Sequence, residues 1–193
     1  MLILGDSTAV GTGASHPAKS LAGLFAAADS AIAIRVVAKN GLFISDLPAL
    51  MTPVIGQRFS LVIIIIGGND VLQFTSIKRM TEGLERIMVL AGPLSNHLVL
   101  VHQGNLGAMP LFPRWFAPRL TARSRQWREI MRTAALRHRA LMVDLFQETA
   151  DHPWDRDPVR FYGGDWFHPN DAGYAMWFNR IQTAWRNKRW DSV

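Results

Sequence analysis

The apolar positions of the chain fall into two periods. Residues 59–66 carry Val62 followed by four consecutive isoleucines, with no polar alternation. Such a run predicts a strand buried on both faces, as at the centre of a parallel sheet. Apolar runs at 2–4, 97–102 and 140–145 predict three further strands, and the β-branched stretch 32–38 predicts a fifth. Between them the spacing turns helical. Leu21, Leu24 and Phe25 form a stripe in 17–28, with Pro17 in its first turn. Residues 45–51 predict a short helix with Ser45 as N-cap. Met80, Leu84, Ile87 and Met88 line one side of 76–90, and Trp127, Ile130, Met131 and Leu136 one side of 121–139. A last helix, capped by Asn170 or Asp171 and reaching to about 189, carries Tyr174, Trp177, Phe178, Ile181 and Trp185. Two stretches have no period and predict loops: 103–119 and 149–162. Alternating strands and helices predict an α/β fold, a doubly wound parallel sheet of about five strands with helices on both faces.

In such a sheet the carboxyl ends of all strands lie on one edge, where open α/β folds keep their chemistry. Ser7 follows the first strand, Gly41 the second and Asn69 the third, while Asp165 and His168 stand in a loop before the last helix. A serine hydroxyl needs a base, an orienter for that base and donors for an oxyanion. His168 is the candidate base. Asp165, three residues earlier, can aim a carboxylate at the other ring nitrogen. The backbone N–H groups of Ser7 and Gly41 and the Asn69 side-chain amide are the candidate oxyanion donors. Each has a plainer reading: Ser7 as a cap, Gly41 and Asn69 as turn residues, His168 as a surface histidine. Asp6 and Asp70, catalytic by type, are expected instead to bond backbone amides and hold their loops. His16, His97, His102, His138 and His152 lack a matching partner and are read as structural or solvated.

The long 103–119 loop carries Pro110, Pro113 and Pro118 among Met109, Leu111, Phe112, Trp115 and Phe116. Loops this long in a compact domain are often functional. These five apolar residues are therefore the expected wall or lid of a substrate pocket, with core packing or a subunit contact as the alternative.

Composition narrows the partners. The 193 residues suit a single domain, 1–193, and 49% hydrophobic residues suffice for a core. There is no cysteine, so disulfides, thiolate metal sites and cysteine nucleophiles are excluded. The net charge of +6 lies largely on two predicted helix faces, which ordinary solvation explains; the competing reading is a nucleic-acid or anionic-lipid surface around 180–189, Trp185 and Trp190. No spacing suggests a metal site or a phosphate loop, so no cofactor is expected. The run 61–66 is too short to span a bilayer, and without a leader pattern the expected location is cytoplasmic.

With these blocks in view, the chain resembles the GDSL-type esterases of the SGNH hydrolase superfamily. Gly5-Asp6-Ser7 resembles the first block, with Thr8 where the family name has leucine. Gly41 fits the glycine block, Gly67-Gly68-Asn69-Asp70 the Gly-x-Asn-Asp block, and Asp165-Trp166-Phe167-His168 the Asp-x-x-His block. The resemblance implies a flavodoxin-like three-layer α/β/α sandwich and cofactor-free hydrolysis of esters or thioesters. It implies Ser7 as nucleophile, His168 as base, Asp165 as orienter, and Ser7, Gly41 and Asn69 as the oxyanion hole. The expected substrate is a small carboxylic ester with a short to medium acyl chain. A sugar O-acetyl ester, a thioester or a lysophospholipid is the alternative within the same superfamily. A binding protein that kept the fold and lost turnover is the alternative outside it.

Overall fold

The computed structural model describes residues 1–147 and 153–188. Five strands, β1 (Leu2–Gly5), β2 (Arg35–Ala38), β3 (Val62–Ile65), β4 (Leu98–His102) and β5 (Leu141–Asp144), form one sheet in the order β2-β1-β3-β4-β5, and every pairing is parallel. This is the flavodoxin-like strand order, whose topological switch lies between β1 and β3. Those are the two strands that lead into Ser7 and Asn69.

The period-two alternation of the strands divides the core. Leu2, Leu4, Val62, Ile64 and Leu100 point to one face, under α3 (Leu47–Leu50), α5 (Ile77–Ala91) and α6 (Ala117–Arg137). Ile3, Ile63, Ile65, Val99 and Val101 point to the other, under α2 (Leu21–Ala28) and α9 (Asp171–Asn187). The result is a three-layer α/β/α sandwich. Both faces of β3 are fully buried, as its unbroken apolar run requires.

Several elements are shorter than their sequence patterns. β2 is an edge strand paired only with the four residues of β1, so 32–34 lie outside the ladder although Ile32 and Ile34 still pack against the core. The helix predicted over 17–28 is broken at Ser20. A 3₁₀ turn spans Pro17–Lys19, and the Ser20 hydroxyl donates to Pro17 O while accepting from Gly23 N, so it caps α2. Ser45 caps nothing: its hydroxyl donates to Asp46, which occupies the N-cap position of α3. The 103–119 stretch is not all loop. Asn105 caps a 3₁₀ turn at Leu106–Ala108, and α6 begins at Ala117 with Pro118 in its first turn, where a missing N–H leaves no bond unmade. Likewise 149–162 contains two short helices, α7 (Pro153–Arg156) and α8 (Pro158–Phe161), the second capped by Asp157. Asn170 caps α9, accepting from the backbone N–H of Ala172 and Gly173. His152, Arg189 and Trp190 lie outside the described residues. Among those described, no helix is long and apolar enough to cross a membrane.

Candidate active site

Ser7 opens α1 (Ser7–Val10), the first turn after β1, and its side chain is buried at the sheet edge. Asp6 is the N-cap of that turn. One carboxylate oxygen accepts from the Thr8 N–H (3.1 Å) and the Thr8 hydroxyl (2.8 Å). The Gln103 side-chain amide donates to both Asp6 oxygens, at 3.0 and 2.9 Å, and to Thr8 Oγ1 at 2.9 Å. Burial pushes the Asp6 carboxyl above its ordinary range against these bonds, which favour the anion. Asp70 Oδ2 accepts from the Ile44 N–H at 2.9 Å, and burial raises it too. Both aspartates hold loops, as expected from the sequence.

His168 reaches Ser7 across a sequence separation of 161 residues, with Nε2 2.8 Å from Ser7 Oγ. The other ring nitrogen, Nδ1, lies 2.5 Å from Asp165 Oδ2. Asp165 Oδ1 accepts the backbone N–H groups of Phe167 (3.0 Å) and His168 (2.9 Å). One carboxylate therefore both shapes the turn and orients the ring. Partial burial pushes Asp165 up, but the His168 ring, the two amides and the His168 charge outweigh it and hold the carboxyl below its ordinary range. In the arrangement that satisfies every group, Nδ1 carries the proton and donates to Asp165, while the Ser7 hydroxyl donates to Nε2.

Two ties lock this turn over the Ser7 loop. Asp171 accepts from the Ser15 N–H (2.8 Å) and hydroxyl (2.6 Å), and the Tyr174 hydroxyl donates to Thr12 O at 2.7 Å. Gly13 packs so closely beneath that a β-carbon there would stand 2.9 Å from His168 Cβ.

The candidate oxyanion donors arise from the neighbouring strands. Asn69 lies in α4 (Gly68–Leu72), whose N-cap is Gly67. One proton of its side-chain amide goes to Leu42 O at 3.0 Å, which fixes the amide and leaves the second free to point elsewhere. Gly41 sits in the turn closed by Leu42 N–H to Lys39 O, with φ of 72° and open space around it.

A narrow cavity of about 70 Å³ opens beside Ser7 and Asn69. It runs under Phe167 and Pro169 to Leu145, Trp154, Met176 and Trp177. Of the five residues expected to line a substrate pocket, Met109 stands in its wall. Phe112 packs edge-on against Phe167, whose ring lies 4.8 Å from that of His168. Phe116 packs between Phe74 and Trp115. Leu111 and Trp115 are exposed, at 50% and 76%. Sequence reasoning missed Gln103 and the α9 side of the cavity. Gln103 was detectable: it directly follows β4, by the same rule that picked out Ser7 and Asn69. Among the described residues no three His, Asp or Glu side chains gather as a metal site.

Comparison with known proteins agrees with this fold. The family model described as the GDSL-like lipase/acylhydrolase family matches residues 3–176. No curated protein matches the sequence. Among solved structures, the chain is similar to a member of the lipolytic protein G-D-S-L family from Veillonella parvula, with a TM-score of 0.76 and 14% identity over 97% of this chain and 98% of that one. It is similar to a lipase/acylhydrolase from Enterococcus faecalis, with a TM-score of 0.70 and 20% identity over 99% and 98%. It is also similar to an acetylxylan esterase from Geobacillus stearothermophilus, with a TM-score of 0.68 and 20% identity over 100% and 95%. At these identities the likeness is one of fold.

Proposed function

The chain belongs to the GDSL-like lipase/acylhydrolase family, a family of carboxylic ester hydrolases, and from that premise we propose that it is a serine esterase whose triad is Ser7, His168 and Asp165. The observation that carries this reading is the unbroken relay from Ser7 Oγ through His168 to Asp165, at 2.8 and 2.5 Å.

Ser7 Oγ attacks the ester carbonyl carbon and its proton passes to His168 Nε2. The tetrahedral oxyanion accepts from the Ser7 and Gly41 N–H groups and from the Asn69 amide. Collapse of this intermediate breaks the bond to the alcohol oxygen, which takes the proton back from His168. Water then attacks the acyl-enzyme, gives a proton to His168, and releases the acid as Ser7 regains its hydrogen. Asp165 keeps the ring in the required tautomer and stabilises the imidazolium. The whole chain is read as one hydrolase domain.

The cavity beside Ser7 is the natural place for the acyl limb. At about 70 Å³ it is far below the roughly 300–1,000 Å³ of a drug-sized pocket, which favours acyl groups of a few carbons. A second reading is a sugar O-acetyl esterase. The resemblance to an acetylxylan esterase supports it, as does the fit of an acetyl group to so small a cavity.

Initial rates on p-nitrophenyl esters from acetate to long chains test the main reading. The rate is expected to peak between acetate and butyrate. Ser7→Ala and His168→Ala are expected to lower it at least about a thousandfold while the fold survives. Undiminished turnover by folded Ser7→Ala protein would sink the proposal. Acetate release from acetylated sugars, compared with simple alkyl acetates, decides between the two readings.

A further inference from the structure

Trp166, inside the turn that carries Asp165 and His168, is a backbone anomaly. Its φ is 57°, the left-handed region that bulky side chains avoid. The turn imposes it. The Trp166 N–H donates to Gly163 O at 3.0 Å, while Asp165 captures the next two amides. Glycine would satisfy that geometry without strain. The indole is not taken into the core in exchange: Trp166 is 42% exposed and belongs to neither buried cluster. Strain kept at the edge of a reacting centre, under a large side chain left partly open to solvent, points to function.

The site's layout gives that indole a task. On the esterase reading the acyl limb enters the cavity, whose roof is Phe167 and Pro169, the neighbours of His168. The departing alcohol must keep its oxygen within reach of His168 Nε2 to receive the proton, so the remainder of the alcohol lies outside that roof. There Trp166 and Leu111 form an exposed apolar edge, joined by the Leu111 N–H to Trp166 O bond at 3.3 Å. Phe167, the next residue, fills the cavity side of the turn.

We propose that Trp166 is the recognition platform for the alcohol half of the ester and selects alcohols that carry a flat-faced ring. An exposed indole offers one broad face. A rigid ring covers that face with few rotors to immobilise, whereas an open chain loses rotamer freedom for a smaller contact. Both an aryl ring and the C–H face of a sugar ring meet this requirement. The inference rests on the esterase reading and adds the substrate's second half to it.

The test holds the acyl group constant. The values of kcat and KM are measured for phenyl acetate, a mono-acetylated methyl pyranoside and ethyl acetate, with wild type, Trp166→Gly, Trp166→Asn and Trp166→Phe. Gly and Asn both tolerate the left-handed backbone, so either variant keeps the turn. The expected result is a five- to twentyfold loss of kcat/KM on ring-bearing acetates with Gly or Asn, carried by KM. Ethyl acetate should stay within twofold, and Phe should retain most of the ring preference. Loss on phenyl acetate alone identifies an aryl alcohol; loss on the pyranoside as well identifies a sugar. Equal losses on all three esters, or no loss on either ring ester, overturn the proposal. Ser7-dependent hydrolysis of at least one of the three acetates is the separate check on the esterase reading: if wild type hydrolyses none of them, that reading falls and this one with it.

Discussion

Asp165 serves two parts of the molecule with one carboxylate: Oδ1 shapes the turn through two backbone amides and Oδ2 meets the His168 ring. Asp165→Asn separates these tasks. The amide oxygen can still accept both backbone N–H groups, but its NH₂ opposes the ring N–H and drives the imidazole toward the wrong tautomer. A loss of roughly 10³–10⁴-fold in kcat with the turn intact is expected. Stability should follow a different course. Asp165 has a depressed pKa in the folded state, so its contribution is present above the ordinary aspartate range and vanishes as pH falls through the folded value. The melting midpoint of Asp165→Asn should therefore lie below wild type at neutral pH and converge with it as the pH falls below the ordinary aspartate range. A gap that persists unchanged in acid would show that the contact is not ionic.

Among the elements, the β3–α4 corner bears a tight constraint. Gly67 has φ of 108°, and a β-carbon there would stand 2.5 Å from the buried Trp127 ring of α6. Gly67→Ala combines left-handed strain with overpacking and should destabilise the protein by about 2–4 kcal/mol. Because Asn69 is two residues on, kcat should fall with it; denaturant unfolding and ester turnover read the two effects separately. The corner also shows what local pattern can and cannot specify. The isoleucine run announces β3, and Gly-Gly-Asn-Asp after it announces a turn. That the turn must be glycine because a tryptophan sixty residues later packs against it is a tertiary fact. The same limit explains Ser45 and Ser20. Both are good caps by type, but which of them closes a helix depends on where the backbone is held, and only Ser20 finds a helical N–H to accept.

At the scale of the whole molecule, His102 ties the sheet to the helical layer. It is buried at the end of β4, accepting from Gly104 N–H on Nδ1 and donating from Nε2 to Ser124 O in α6. Burial pushes its pKa from 6.5 down to about 4. A histidine held neutral in the fold contributes stability above its unfolded pKa that is lost as pH falls toward the folded value. Between about pH 6.5 and 4 this amounts to roughly 3 kcal/mol. His102→Gln keeps a donor for Ser124 and should flatten the stability curve over that window, as followed by urea midpoints across pH. An unaltered curve would place the acid sensitivity elsewhere.

The sequence by itself determined the strand–helix alternation, the central position of β3 and the edge on which Ser7, Gly41 and Asn69 stand. These depend on side-chain period and on one topological rule: parallel strands joined by crossovers bring all their carboxyl ends together. The pairing of Asp165 with His168 was legible as well, because it spans three residues. Only the tertiary structure decided the rest. The Ser7–His168 contact depends on how α9 is fastened to the first loop through Asp171 and Tyr174. Gln103 becomes part of the Ser7 loop only because β4 lies two strands from β1. The cavity takes its far wall from Trp154 and α9, whose residues look like ordinary core in the sequence. Trp166 is strained by a turn whose hydrogen bonds no local pattern announces. Hydrogen-bond and packing partners far apart in the chain are chosen by how layers fit, and period carries no information about that fit.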